Sequence, residues 1–344
     1  MLTAYTFYVN DVTITVILSE EAAMRPRSSL VILIASAGLT VGCNALAIGA
    51  APDKAPSAER TPAAVQADGL FWGTLHGGQY ERIPEALTAL TGAYLDNPND
   101  AVTAAHIGWM HIWRLSERAR LEPARDPAIT DHAVLARKYF EEAVHLNPRE
   151  PRYLGFYAAL LMTEGAIHRD EKLRRRGYYT MRDAIAAWPE FNYFTAGYGL
   201  SSLKHDSERF AEGLQFQWLT LDACAGERVD RVNADFSRYM RLETKDGPKR
   251  VCWNSWIAPH NFEGFFLNFG DMLVKSGQPQ TAVKMYANAR HAPEYDAWPY
   301  KNVLEDRIRN AAANVEAFRQ EHPEIGVPTI MVRSRFACMG CHQL

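Results

Sequence analysis

The last residues of the chain bring two thiols and one imidazole together within five positions. Cys338 and Cys341 are separated by two residues, and His342 follows Cys341 directly. Thiols and imidazoles are the side chains that proteins use for covalent attachment, disulfide exchange and the ligation of transition metals. The spacing therefore predicts one of these three chemistries at the C-terminus.

The C-x-x-C-H pattern resembles the haem-attachment motif of c-type cytochromes. Two thiols at this spacing reach the two vinyl groups on one edge of a porphyrin, and the next residue places an imidazole under the iron. The resemblance implies one covalent haem c on Cys338 and Cys341, with His342 as the iron ligand. A redox disulfide lacks the expected βαβ surroundings, and a zinc site lacks a second Cys/His pair of matching spacing.

A second axial ligand, if there is one, is expected from upstream, because only Gln343 and Leu344 follow the motif. The methionines of the body are candidates, together with the following histidines: His76, His106, His111, His260 and His291. Arg333 and Arg335 are expected either to pair with haem propionates or to form a solvated basic segment. The aromatic stretch from Trp253 to Phe269 is predicted to pack in the core rather than against a haem face.

The N-terminal region resembles a bacterial lipoprotein signal. Arg25 and Arg27 precede an apolar run of 12 residues, Leu30 to Val41, which is too short to span a bilayer and typical of a signal peptide. Small residues then lead to Cys43, the predicted lipid attachment site. One departure is Thr40, which occupies the place where the family usually has leucine. An ordinary cleaved signal is the alternative.

The sequence also predicts the nature of the segments before and after this signal. Residues 1–23 are predicted to be a misassigned upstream start, because Glu20 and Glu21 are acidic where the signal needs basic charge, and Met24 is the expected true start. Residues 44–66 contain almost no large apolar side chains, so they are predicted to be a flexible tether.

The body repeats an apolar pattern that is typical of paired helices. Residues at offsets 0, 4, 7 and 12 recur three times, which predicts a helix face followed by a terminating proline. The three sets are Ala86, Leu90, Ala93, Pro98; Ala136, Phe140, Ala143, Pro148; and Gly177, Met181, Ala184, Pro189. A second apolar helix is expected after each proline, with a small residue that allows close helix contact.

Residues 266–289 resemble a tetratricopeptide repeat (TPR). Phe266, Phe269 and Gly270 are followed by a glycine turn and by Tyr286 on a second helix, and the likeness extends over about residues 79–295. It implies an all-α, irregular TPR-like solenoid of helical hairpins at residues 67–325, which could close on itself. Residues 326–344 are predicted to form a short C-terminal haem-binding tail.

Composition and cysteine count complete these predictions. The chain has 344 residues with 37 basic and 40 acidic side chains, a net charge of −3 that makes nucleic acid an unsuitable partner. An exported chain folds under oxidising conditions, where the remaining even pair, Cys224 and Cys252, is expected to form a disulfide. Two buried free thiols are the alternative.

Together these patterns predict a membrane-anchored periplasmic monohaem c-type cytochrome. It would exchange electrons with a redox partner docked on the helical repeats, in the periplasm or at the outer membrane of a Gram-negative bacterium. The alternative is a TPR-type scaffold lipoprotein that organises an envelope complex without electron transfer. A haem enzyme with an open sixth position is a third hypothesis, although a carrier or binding module is preferred to an enzyme.

Overall fold

The computed structural model describes residues 2–9, 12–19, 47–120, 128–242, 244–321 and 326–344. The chain divides into two compact units, Met1–Lys54 and Ala55–Leu344, each of which is described by itself. The predicted signal peptide at 24–43, with Cys43, lies outside the described residues.

The first unit contains an antiparallel hairpin. Its strands are β1 (Leu2–Val9) and β2 (Val12–Ser19), with Leu2 opposite Ser19 and Val9 opposite Val12. β-branched and aromatic side chains dominate both strands, and they favour extended backbone. This hairpin is the exception to the predicted all-α architecture, which holds for the described residues of the second unit.

The second unit is a succession of helices joined by short turns. The longer helices are α1 (Pro62–His76), α2 (Ile83–Asp96), α3 (Ala101–Ser116), α4 (Ile129–Leu146), α5 (Pro151–Ile167), α6 (Glu171–Ala187), α7 (Pro189–Leu200), α8 (Glu208–Ala225) and α9 (Asn261–Lys275). Shorter helices follow: α10 (Pro279–Ala287), α11 (Lys301–Asn310), α12 (Asn314–Arg319) and α13 (Met339–His342).

The repeated apolar pattern forms one buried face on each of α2, α4 and α6. The pattern residues are all buried: Ala86, Leu90 and Ala93; Ala136, Phe140 and Ala143; Gly177, Met181 and Ala184. The three helices end at Asp96, Leu146 and Ala187, each two residues before a proline. The predicted helix faces and endpoints are therefore confirmed.

Neighbouring helices pack in pairs, and glycines allow their close approach. A side chain at Gly108 of α3 would overlap the ring of Phe140 of α4, and one at Gly270 of α9 would overlap the ring of Tyr286 of α10. Gly277 has a φ of +87° in the turn between α9 and α10, a conformation that favours glycine. The pairing of helices is thus established, while the TPR-like solenoid remains a prediction.

Two boundaries differ from the sequence predictions. Helix α1 begins at Pro62 with the side chain of Thr61 as its cap, and Ala64 is fully buried, so the body starts inside the segment predicted as a tether. Residues 326–344, predicted to form a short C-terminal tail, have Ile330, Met331 and Met339 buried in the body. The apolar side chains of this segment explain the difference. Within the described ranges, no helix has the length and apolar content needed to cross a membrane.

Candidate cofactor site

A cavity of about 2150 Å³ lies among the helices of the second unit. Helices α1, α3, α5 and α7 line it, together with parts of α8, α9, the segment 244–260 and the C-terminal residues, whereas α2, α4 and α6 do not. Its wall is mostly apolar and includes many aromatic side chains, among them Trp72, Trp109, Phe156, Phe194 and Trp253. The volume exceeds the ~300–1,000 Å³ of ordinary small-molecule pockets, so the cavity is large enough for a macrocyclic cofactor.

The C-terminal motif lies in the wall of this cavity. Cys338, Cys341 and His342 all line it. Met339 packs with the apolar residues of α1, α2 and α3, while Cys341 packs with those of α9 and its neighbours. The motif therefore bridges the first and last helices of the unit, and the three predicted cofactor-binding residues share one cavity.

A buried carboxylate from the first half of the chain holds the motif in place. The Glu117 side chain is fully buried, and its Oε1 accepts hydrogen bonds from the backbone amides of Cys338 at 2.7 Å and Met339 at 3.0 Å. Its Oε2 pairs with Arg120 Nε at 2.9 Å. Burial raises the pKa of Glu117, and Arg120 and the two amides oppose that shift. Glu117 thus fixes the start of α13.

Further contacts fix the rest of the motif. Trp298 Nε1 donates to the carbonyl oxygen of Gly340 at 2.9 Å, and the backbone amide of His260 donates to that of Cys341 at 3.1 Å. A side chain at Gly264 of α9 would overlap Cys341 Sγ. The backbone of the motif is therefore set by tertiary contacts on several sides.

Both thiols of the motif are free and neutral. Cys341 is buried, and Cys338 Sγ lies 3.0 Å from Ser116 Oγ. Burial raises the pKa of Cys341 to about 12 and that of Cys338 well above its ordinary value. The two thiols are thus available for covalent attachment inside the cavity.

The His342 ring is oriented by a backbone carbonyl. Its Nδ1 lies 2.8 Å from the carbonyl oxygen of Ile257, so this nitrogen carries the proton. Burial lowers the pKa of His342 and so favours the neutral ring. The hydrogen bond to Ile257 opposes this shift. The lone pair is then on Nε2, the nitrogen available to a metal. Metal-ligating histidines usually donate their other ring nitrogen to a carbonyl or carboxylate in this way.

The upstream histidines occupy different places. His111 lies outside the cavity wall, with its Nδ1 at 2.8 Å from that of His132, and His291 is exposed. His76 lines a separate cleft, and its Nε2 lies 3.5 Å from the same Ile257 carbonyl that orients His342. His106 and His260 line the cavity itself.

Of the two arginines near the motif, only one lines the cavity, and so does the aromatic stretch. Arg333 lines the cavity, while its guanidinium donates to the carbonyl oxygens of Ser202 and Gln320. Arg335 is exposed and outside the cavity wall. The aromatic stretch that was assigned to the core also lines the cavity, including Trp253, Phe262 and Phe265.

The remaining cysteines also lie at the cavity. Cys224 of α8 and Cys252 are joined in a disulfide, the pairing expected from the sequence, and both line the cavity wall. The bond fixes the segment that continues to Ile257. One cysteine pair therefore braces the wall, and the other is free to bind a group within it.

These observations fit a covalent c-type haem. The cavity offers sufficient volume, an apolar wall with many aromatic side chains, two free thiols and one imidazole whose Nε2 is available. Among the described residues, no group of three or more His, Cys, Asp and Glu side chains is placed to hold a metal ion. A haem iron takes at most two protein ligands, so the predicted site needs no such group.

Comparison of the chain with protein-family models, curated proteins and solved structures finds no match. The case for function therefore depends on the site alone. Sequence reasoning missed Glu117 and Ile257, which orient the motif from positions more than 80 residues away along the chain. No local pattern marks either residue, since Glu117 looks like one of many helix-terminal acids and Ile257 acts through its backbone.

Proposed function

We propose that this protein is a monohaem c-type cytochrome whose haem occupies the cavity of the helical unit. Cys338 and Cys341 bind the haem through thioether bonds, and His342 ligates the iron through Nε2. The haem supplies one-electron exchange when it is bound. The residues of the cavity hold the haem and exclude water with aromatic side chains. The Ile257 carbonyl keeps His342 in the tautomer that can bind iron.

One observation carries the proposal. The three motif residues line the same large cavity, and His342 donates Nδ1 to the Ile257 carbonyl at 2.8 Å, which leaves Nε2 for the iron. A motif that arose by chance would have no reason to face a cavity with its histidine already oriented. The free state of both thiols supports the same assignment.

The setting of the protein follows from the sequence predictions. The signal at 24–43 and the lipid on Cys43 would anchor it in the periplasm or at the outer membrane, with a redox protein as partner. Trp256 precedes Ile257, whose carbonyl accepts from His342, and it is 62% exposed with its ring centroid 5.0 Å from that of His76. We propose that electrons enter and leave at this edge, in exchange with a redox partner docked on the helical repeats.

The decisive experiment is a reduced pyridine haemochrome spectrum of the protein expressed with a c-type maturation system. The expected result is a c-type band that survives acid–acetone extraction and is lost in a Cys338→Ser/Cys341→Ser variant. A colourless wild-type protein would overturn the proposal and leave the scaffold lipoprotein hypothesis. Equal haem content in the double variant would mean that the haem is not covalently attached.

The cavity volume favours one second candidate, a haem enzyme with a substrate space beside the iron. About 2150 Å³ is more than twice the ~1,000 Å³ upper range of ordinary ligand pockets. This candidate predicts a vacant iron position that binds carbon monoxide rapidly in the ferrous protein. A ferrous protein that does not bind carbon monoxide would exclude it and retain the electron carrier.

A further inference from the structure

The second axial position can be assigned by comparing the histidines of the cavity wall. Within the described part of the chain, three histidines line this cavity: His106, His260 and His342. Two axial ligands must approach the iron from opposite faces of the macrocycle. The partner of His342 therefore has to come from a part of the wall that does not adjoin His342 itself.

His260 does not meet this requirement. Its backbone amide is hydrogen-bonded to the carbonyl oxygen of Cys341, the residue that precedes His342. This bond keeps the two histidine backbones within a few ångströms of each other, on the same side of the site. Its Nδ1 also lies 3.0 Å from Glu263 Oε1, which ties the ring to α9.

His76 is excluded for a similar reason. Its Nε2 lies 3.5 Å from the Ile257 carbonyl that accepts Nδ1 of His342, so it stands behind His342 rather than across the iron from it. It also lines a separate cleft.

Unlike His260 and His76, His106 has no hydrogen bond to the C-terminal motif or to Ile257 among the described residues. It lies on α3, is only 4% exposed, and its Nδ1 is 2.7 Å from Asp68 Oδ1. Its ring stacks on Phe71 with the centroids 4.1 Å apart and the planes at 8°. Among the side-chain hydrogen bonds of the described residues, the one that involves His106 is at Nδ1 and none is at Nε2.

The carboxylate behind His106 is itself fixed. Arg60 forms an ion pair with Asp68 and holds Asp100 with its Nε at 2.8 Å. A histidine whose second nitrogen is held by an ordered carboxylate is the usual arrangement of a metal ligand, because the carboxylate sets the tautomer and raises the basicity of the ring. Phe71 fixes the plane of the ring in addition.

We infer that His106 is the second axial ligand of the haem iron, bound through Nε2, and that Asp68 and Phe71 are its positioning residues. This inference rests on the proposed function, since it requires haem in the cavity. It makes the iron six-coordinate with two imidazoles, and it assigns the protein to electron transfer rather than to chemistry at an open iron site.

The test uses the haem-loaded full chain, after the haemochrome spectrum has established covalent haem. The ferric wild type is expected to be low-spin by optical and electron paramagnetic resonance spectra. The His106→Ala variant is expected to become high-spin with unchanged haem content, and added imidazole is expected to restore the low-spin spectrum. Met240→Leu is the control, because Met240 is a thioether in the same wall, and it is expected to keep the wild-type spectrum.

Two results would overturn the inference without affecting the proposed function. One is a high-spin ferric wild type that carries covalent haem, and the other is a His106→Ala variant that stays low-spin. If that variant does not fold, near-infrared magnetic circular dichroism of the wild type decides, since it separates two imidazoles from an imidazole with a thioether. Asp68→Asn gives a further readout: the less basic His106 is expected to raise the reduction potential while the low-spin spectrum is kept.

Discussion

The two histidine-bearing walls of the cavity are built in different ways. His106 belongs to α3, a helix of 16 residues whose first amides are capped by the neighbouring Asp100. His342 belongs to α13, a helix of four residues whose first amides are satisfied by Glu117. Four residues cannot form a stable helix alone, because nucleation costs more than one turn returns. The first wall is therefore largely a local structure, whereas the second exists only in the folded protein.

The comparison explains why a short motif can be held as rigidly as a long helix. Every group that orients His342 comes from far along the chain, and each is buried or hydrogen-bonded: Glu117 at the amides, Trp298 at the Gly340 carbonyl, and Ile257 at the ring. Substitutions that touch these contacts should disturb the wall that carries His342 and leave the wall that carries His106 intact. Four measurements examine this difference.

The largest effect is expected from Glu117→Ala. It leaves two amides without their acceptor and Arg120 without its buried ion-pair partner. Breaking a buried ion pair costs about 3–5 kcal/mol in the free energy of unfolding. Urea denaturation followed by circular dichroism measures the loss. Glu85→Ala, which removes the exposed pair with Arg82, is the control and is expected to have no measurable effect. Equal losses in the two variants would contradict the anchoring role of Glu117.

Removal of the disulfide is expected to cost slightly less. The Cys224–Cys252 bond spans 28 positions, and closing such a loop contributes about 3–4 kcal/mol in the chain-entropy model. Cys224→Ser/Cys252→Ser should lower the free energy of unfolding by that amount and keep the covalent haem band. In contrast, Cys338→Ser/Cys341→Ser should remove the covalent haem band. Loss of haem from the disulfide variant would show that haem attachment at Cys338 and Cys341 depends on the Cys224–Cys252 bond.

Helix α3, which carries His106, should have a pH dependence of its own through His111, a residue outside the cavity wall. Burial, with His132 nearby, lowers the pKa of His111 from 6.5 to about 4. Between pH 4 and 6.5 the unfolded state binds more protons than the folded state, so stability rises with pH across this window and is lost as the pH falls. His111→Gln should flatten the profile by about 3 kcal/mol. Denaturation curves at several pH values measure the slope, and an unchanged slope would rule out His111 as its source.

The smallest effects are expected from a pair of glycine substitutions. Gly264→Ala places a Cβ against Cys341 Sγ, and overpacking of this kind costs about 1–3 kcal/mol. Gly73→Ala adds a Cβ to α1 where nothing lies within 4 Å, so it should stabilise that helix by about 0.5–1 kcal/mol. The free energies of unfolding of the two variants should therefore move in opposite directions. A stabilised Gly264→Ala variant would mean that the motif is less closely packed than the structure indicates.

The helices of the body were predictable because their signals are local. Leu90, Phe140 and Met181 each lie in a pattern of period close to 3.6, and a proline ends each of their helices. The start of α1 was not predicted correctly, because Ala64 and Ala67 carry too little apolar surface to mark a helix that is buried by its neighbours. The assignment of the aromatic stretch was incomplete, since composition does not distinguish packing in a core from lining a cavity.

The sequence by itself determined the helices of the body and predicted the chemistry that we propose for this protein. The types and spacing of Cys338, Cys341 and His342 predict haem attachment, because the vinyl positions of a porphyrin require two thiols at that spacing. Only the tertiary structure decided that the motif faces a cavity and that Ile257 orients His342. It also decided that Asp68 and Phe71 hold His106 in the wall of the same cavity. These relations depend on contacts between residues far apart in sequence, and such contacts exist only once the buried helices have packed.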